Sequence, residues 1–198
     1  MTLPGDSIRA RLIGFGAALT FVALIAGYLA IAAILDDFVT SRFDAETEAV
    51  ADALIASAAI DAEGRLLAGP DPIDPRFQIP AGGRYWQVST AGGQPPLRSR
   101  SLWDQELTDE ALSANLYLGF READGPDGNA ILVLVKDLSI GDGPGRKPFK
   151  VYTAFSKAEM ETALESYHRP LRLMLSATGA LLLLAAFLQS VIGLRPLA

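Results

Sequence analysis

Two runs without a single charged residue, Leu12 to Leu35 and Leu173 to Ile192, constrain this chain more than anything else in it. They hold 24 and 20 residues. At about 1.5 Å of rise per helical residue, either covers a hydrocarbon core of roughly 30 Å. A secretory signal is the rival reading of the first run, with Arg9 and Arg11 ahead of it and the small residues Ala30, Ala32 and Ala33 near its end. Length decides against that reading, because the apolar part of a signal peptide runs about 7–15 residues. The expected organisation is therefore a flank over 1–11, a transmembrane helix over 12–35, one domain over 36–172, a second transmembrane helix over 173–192, and a segment over 193–198 that opens a linker.

The 137 positions between the spans are enough chain for one domain with a core. They carry 14 Lys and Arg against 22 Asp and Glu, a net of −8. So acidic a domain argues against nucleic acid as a partner and against flat docking on anionic lipid, which it could meet through bound divalent cations. There is no cysteine, so no disulfide staples the domain. Arg9 and Arg11 in the short N-terminal flank mark it as cytoplasmic, and Arg195 agrees, while Arg169 and Arg172 oppose from the other flank of the second span. Long domains cross largely regardless of charge, so the short flank counts most and residues 36–172 are expected outside.

After Leu35 the apolar residues Val39, Phe43, Val50 and Leu54 keep helical phase, which predicts that the first helix continues outward to about Ala59. Residues 65–83, rich in Pro, Gly and Asp, predict an irregular loop. Strand alternation over Arg84 to Ser89 and over Leu97 to Leu102, separated by a Gly-Gly and Pro-Pro turn, predicts one hairpin. Leu107 to Ala114 reads as a short helix or turn. A second hairpin is expected from Leu116 to Ala123 and Ala130 to Leu138, joined by Asp124-Gly125-Pro126-Asp127-Gly128-Asn129. The loop over 141–148 precedes a last strand, Phe149 to Phe155. Ser156-Lys157-Ala158-Glu159 has the spacing of a capping box and predicts a helix start. From there Met160, Leu164, Tyr167, Leu171 and Met174 step by 4, 3, 4 and 3 into the second span. That is either a seam packing on a partner helix or the stripe of a helix lying on its own sheet. Pro170 interrupts it and would kink the helix. Helix, antiparallel hairpins and helix together predict an α+β fold in which helices cover one face of the sheet.

Catalytic residues are not expected: the single histidine, His168, stands next to Arg169 and Pro170 with no partner arrangement for nucleophilic or metal chemistry in the sequence, and it reads as an interfacial polar residue. The glycine-rich stretch Gly141 to Lys147 lacks the Gly-Lys-Ser/Thr ending of a phosphate loop and leads into a strand, so it reads as a hairpin loop. Gly16, Thr20, Ala23 and Gly27 form a row of small residues that either lets membrane helices approach closely or is ordinary Gly and Ala content. Alternation would put Arg98 and Arg100 on one face of their strand and Ser99 and Ser101 on the other, beside Arg84, Tyr85, Trp86 and Trp103. Two arginines next to aromatic rings suit either an anionic ligand or cross-strand pairing with Asp104, Glu106 or Asp74. No metal-ligand pattern is present.

Asp74-Pro75-Arg76-Phe77, then Gly83-Arg84-Tyr85-Trp86-Gln87-Val88, then Arg98-Ser99-Arg100-Ser101-Leu102-Trp103-Asp104 resemble, in order and spacing, the periplasmic region of a family of bacterial two-component sensor histidine kinases. Gly193-Leu194-Arg195-Pro196-Leu197 is similar to the first residues of the HAMP linker that follows the second span in such receptors, with its proline at a helix start. The resemblance implies a homodimer in the bacterial inner membrane, multi-pass, with a periplasmic PAS-like or Cache-like sheet between two transmembrane helices. For such a receptor the candidate sensory residues in this sequence are Arg84, Tyr85, Trp86, Arg98, Arg100 and Trp103, and the candidate relay residues are Pro170, Arg195 and Pro196. In such receptors a cytoplasmic kinase half, using ATP and Mg, phosphorylates a histidine and then a response regulator. These 198 residues hold no HAMP body, histidine box or nucleotide-binding glycine boxes, so the expected role is that of an input half without cofactor or catalysis of its own. The same front end would also serve a chemoreceptor or a cyclase, and a stand-alone membrane accessory protein is the third reading.

Overall fold

In the computed structural model, residues 4–60, 66–67, 72–90, 94–140 and 147–192 are described. Two helices, α1 (Pro4–Ser57) and α2 (Lys157–Ile192), enclose eight strands in the chain: β1 (Ala59–Ile60), β2 (Leu66–Leu67), β3 (Arg84–Thr90), β4 (Leu97–Arg98), β5 (Leu116–Tyr117), β6 (Phe120–Asp124), β7 (Ala130–Ile140) and β8 (Lys147–Ser156). β1 and β2 form a two-stranded ladder, and the other six make one antiparallel sheet in the order β4-β3-β8-β7-β6-β5. The fold is α+β, with a six-stranded antiparallel sheet and two long apolar helices. The chain divides into two compact units, Val39–Ala163 and a helical unit made of α1 through Phe38 with α2 from Leu164.

Alternation along the central strands builds the Val39–Ala163 unit. In β3, Tyr85 belongs to one core cluster while Trp86 and Val88 belong to another. The second cluster is completed by Ala51 and Leu54 of α1, by Phe77, and by Phe149 and Val151 of β8, so α1 covers this face. The opposite face carries Ala123, Ile131, Val133, Tyr152 and Ala154, and it is covered by Leu102, Leu107 and Leu112 from an irregular segment. Residues 151–155 of β8 are all buried, as expected of a central strand with both faces covered. Gln87 fastens the irregular cover: its Nε2 donates to the Leu107 carbonyl at 2.7 Å while its Oε1 accepts from the Leu107 amide at 2.9 Å. One side-chain amide thus replaces a missing stretch of ladder.

The strand expected from Leu97 to Leu102 ends at Arg98, and Arg100–Leu102 is a 3₁₀ turn. Serine chemistry explains the early end. Ser99 accepts the Trp86 amide on its Oγ at 3.1 Å, and Ser101 donates its hydroxyl to the Arg84 carbonyl at 2.6 Å. Hydroxyls that bond the neighbouring backbone compete with the regular ladder and release the chain from extended geometry. The strand expected over Leu116 to Ala123 is likewise divided, by a two-residue turn at Leu118 and Gly119, both with positive φ, which matches the twist of a tight hairpin. The hairpin over 124–130 forms as expected: the Gly125 amide bonds the Asn129 carbonyl, and Gly128 takes φ +76°. α1 ends at Ser57, within two residues of the expectation. α2 starts at the expected place, but Oε1 of Glu159 accepts from Arg76 and Arg84 instead of closing a capping box.

In the helical unit α1 and α2 lie against each other. A Cβ placed on Gly179 would stand 3.0 Å from Cδ1 of Leu24, so glycine there permits the close approach. Thr20 lines the groove between the helices, whereas Ala23 and Gly16 are exposed, so the row of small residues is not a single contact face within one chain. Both helices are long and apolar enough to cross a membrane, and 6% and 0% of their apolar windows are buried. A core helix of a water-soluble domain would bury that surface; here Phe15, Leu19, Phe21, Leu173, Met174 and Leu181 face outward.

Candidate functional site

The residue around which the Val39–Ala163 unit is organised electrostatically is Arg84. It opens β3 opposite Phe155 of β8, and α2 begins two residues after Phe155, so the first turn of α2 returns over the guanidinium. On α1, Phe43 and Glu46 are one helical turn apart and face the same point. Nη2 of Arg84 donates to Oε2 of Glu46 at 3.0 Å and to Oε1 of Glu159 at 3.2 Å, and the cation lies 5.4 Å from the Phe43 ring and 5.5 Å from the Phe155 ring. The Arg84 side chain is 8% exposed, while Glu46 and Glu159 are 44% and 35% exposed. One buried cation therefore holds a carboxylate from each helix, and the aromatic faces compensate part of its lost hydration.

Arg76 extends the network. Its guanidinium donates to Asp74 at 2.6 and 2.9 Å and, through Nη1, to Oε1 of Glu159 at 2.8 Å. Asp74 also caps the 3₁₀ turn Pro75–Phe77 by accepting the Arg76 amide. The Arg76 hydrogen bonds hold the Asp74 carboxyl below the usual carboxylate range, against a smaller opposing effect of burial.

Beside this network lies a cavity of about 400 Å³, walled by α1 at Glu46, Thr47 and Val50, by Phe77, and by Arg84, Thr153 and Ala154 of the sheet. Nε of Arg84 and Oγ1 of Thr153 are buried with no hydrogen-bond partner among the described residues. Thr153 is 2% exposed and Arg84 7%. A buried donor without a partner costs about 1–3 kcal/mol, so such atoms are uncommon.

The six residues expected to be sensory do not converge. Arg84 is the centre of the network. Tyr85 is buried in the core under Leu102 and Leu107, and that burial pushes its phenol up. Trp86 is buried beneath α1. Arg98 ends β4 and donates to the Gln105 carbonyl at 2.8 Å, and Arg100 is exposed on the 3₁₀ turn, so the two arginines do not share a strand face. Trp103 is 65% exposed with φ +57°, an unusual conformation for a bulky residue. Pro170 lies inside α2, which runs through it unbroken; Arg195 and Pro196 lie outside the described residues, as does the glycine-rich stretch 141–146.

Glu46, Glu159, Arg76, Asp74 and Thr153 were not legible as one site, because nothing local in the sequence brings them together. A second constellation was missed in the helical unit. Nε2 of His168 donates to Oδ1 of Asp36 at 2.6 Å, and its Nδ1 lies 3.4 Å from the Tyr28 hydroxyl. The signal was available: Asp36 directly follows the first apolar run and His168 precedes the second by five residues, so antiparallel helices place them at one depth. Among the described residues no cluster of three or more His, Cys, Asp or Glu could hold a metal ion. The chain matches no protein family, no curated protein and no solved structure against which it was compared.

Proposed function

We propose that this chain is the signal-perceiving, membrane-anchoring input half of a bacterial two-component sensor histidine kinase. α1 and α2 cross the inner membrane, the PAS-like or Cache-like sheet lies in the periplasm, and the receptor works as a homodimer that hands its signal past Ala198 to a HAMP linker. The kinase half, its ATP and Mg, and its response regulator belong to the cytoplasmic side of such a receptor. The observation that carries the reading is Arg84: a single buried guanidinium grips Glu46 of α1 and Glu159 of α2. A stimulus can act only through unequal affinity for two arrangements, and a shared cation between the two helices is where such a difference becomes movement. Glu159 stands in the first turn of α2, the helix that continues to Ile192.

Reading the coding DNA beyond Ala198 tests the output. A HAMP body followed by a His-Glu or His-Asp box is expected; a cyclase domain or a long chemoreceptor coiled coil would transfer the same front end to those classes, and an immediate stop would favour a stand-alone accessory protein. Orientation is tested by alkaline phosphatase fused at Gly128, in the exposed β6–β7 turn. High phosphatase activity is expected, and activity only from a cytoplasmic reporter at the same site would reverse the topology.

A further inference from the structure

We propose that His168, Asp36 and Tyr28 form a proton-operated clasp between α1 and α2, which holds the two helices together more firmly when His168 is charged. This deepens the receptor reading, and rests on it only for what the closed clasp would signal.

All three side chains belong to the helical unit, and His168 and Asp36 lie just outside the two apolar runs. Nε2 of His168 and Oδ1 of Asp36 are 2.6 Å apart, the Tyr28 hydroxyl is 3.4 Å from Nδ1, and the Tyr28 ring stands edge-on to the imidazole at 6.4 Å. The His168 side chain is 20% exposed and that of Asp36 41%, so protons reach the pair from water. A neutral imidazole donates through Nε2 to the carboxylate and accepts at Nδ1 from the phenol; a charged one donates from both nitrogens, and the phenol oxygen accepts. Protonation therefore breaks no contact. It puts full charges on both partners of the bond to Asp36 where there was one, which strengthens that bond.

The direction follows from which groups travel with the histidine. Glu165, Arg169 and Arg172 stand on α2 and accompany His168 whether or not the helices meet, and Arg172 is bonded to Glu165 of its own helix. α1 brings the carboxylates of Asp36 and Asp37 and the Tyr28 phenol, with no Lys or Arg between Leu12 and Ser41. Docked helices thus offer the imidazolium an opposite charge that parted helices do not. The added hold is present while the ring is charged and is lost as pH rises through its titration. Histidine is the side chain whose ordinary charge change falls between about pH 5 and 8, so acidification is the change the clasp reads.

One histidine and no cysteine make both probes unambiguous when the purification tag carries no histidine. Spin labels at Ile31 and Leu173, both exposed, report the helix separation of the full chain in lipid nanodiscs, with unlabelled chain in excess so that only distances within one chain count. From about pH 8 to about pH 5 the ratio of the shorter to the longer separation is expected to rise about two- to fivefold, the scale of one partly exposed charge pair, along the same curve as the ring-nitrogen NMR shifts of the histidine. Asp36→Asn keeps the shape and removes the charge; His168→Gln keeps hydrogen-bonding groups and removes the titration. Each should make the separation independent of pH while circular dichroism stays unchanged, and the native titration decides even where a variant fails to fold. A separation that ignores pH in the native chain, a response that departs from the ring's titration, or an undiminished response in either folded variant would each overturn the proposal. Distance is read without any output, so its failure leaves the receptor reading standing, and a downstream sequence of another class leaves the distance result standing.

Discussion

Replacing Phe155 by alanine is expected to destabilise the Val39–Ala163 unit by about 3–5 kcal/mol, the usual loss for truncating a large buried aromatic side chain. Phe155 is fully buried on β8, 4.8 Å from the ring of Phe43 on α1 and 5.0 Å from that of Phe120 on β6, the latter in an edge-to-face arrangement. These ring pairs add about 0.5–1.5 kcal/mol each beyond area burial. The substitution also strips one aromatic face from Arg84. Hydrogen exchange of the amide of Leu132, the β7 partner of Phe155, measures the loss in the full chain. A change below about 1 kcal/mol would mean that the sheet is not the stable centre of this unit.

Replacing Arg84 by alanine is expected to cost about 2 kcal/mol and, more tellingly, to loosen both helix ends from the sheet. Removing one member of a fully buried pair costs about 3–5 kcal/mol, but Glu46 and Glu159 keep contact with water and Arg76 still holds Glu159, so the smaller figure applies. Left without the cation, the carboxylates of Glu46 and Glu159 face each other across the gap. The chain has no native cysteine, so spin labels placed at Ala45 and Ala158, both exposed, report the separation of the two helices without interference. A single narrow distance distribution is expected for the native residue and a broadened one for Arg84→Ala. Arg84→Lys should fall between, because an ammonium keeps the positive charge but loses the planar guanidinium that lies beside the Phe43 and Phe155 rings. An unchanged distribution in Arg84→Ala would remove this residue from the signalling argument and leave it only a packing role.

Much of the architecture was legible because its causes are local. Val39, Phe43 and Leu54 repeat with helical phase and are buried in α1 as that phase demands. The turn at Gly125 and Gly128 lies where Gly, Asp and Pro accumulate, and β7 and β8 follow alternating apolar residues on either side of a glycine-rich stretch. Where the reading of β4 failed, a competing local bond was responsible. Leu97 to Leu102 has the composition of a strand, yet the hydroxyls of Ser99 and Ser101 find backbone partners on β3 and end it at Arg98. The expectation for Arg98 and Arg100 fell with the strand, since two arginines share a face only while alternation lasts.

From the sequence alone came the two apolar helices, the acidic domain between them and its antiparallel α+β character, since absence of charge, period and turn composition act over a few residues. The tertiary structure alone decided that Arg84 meets Glu46 and Glu159, 38 and 75 positions away, that Arg76 meets Glu159 across 83, and that a cavity opens beside them. Charged residues are interchangeable in a sequence pattern, because a solvated helix face and an ion-pair network look alike there. Which of them pair is settled only when the sheet closes and its burial makes an unpaired cation costly.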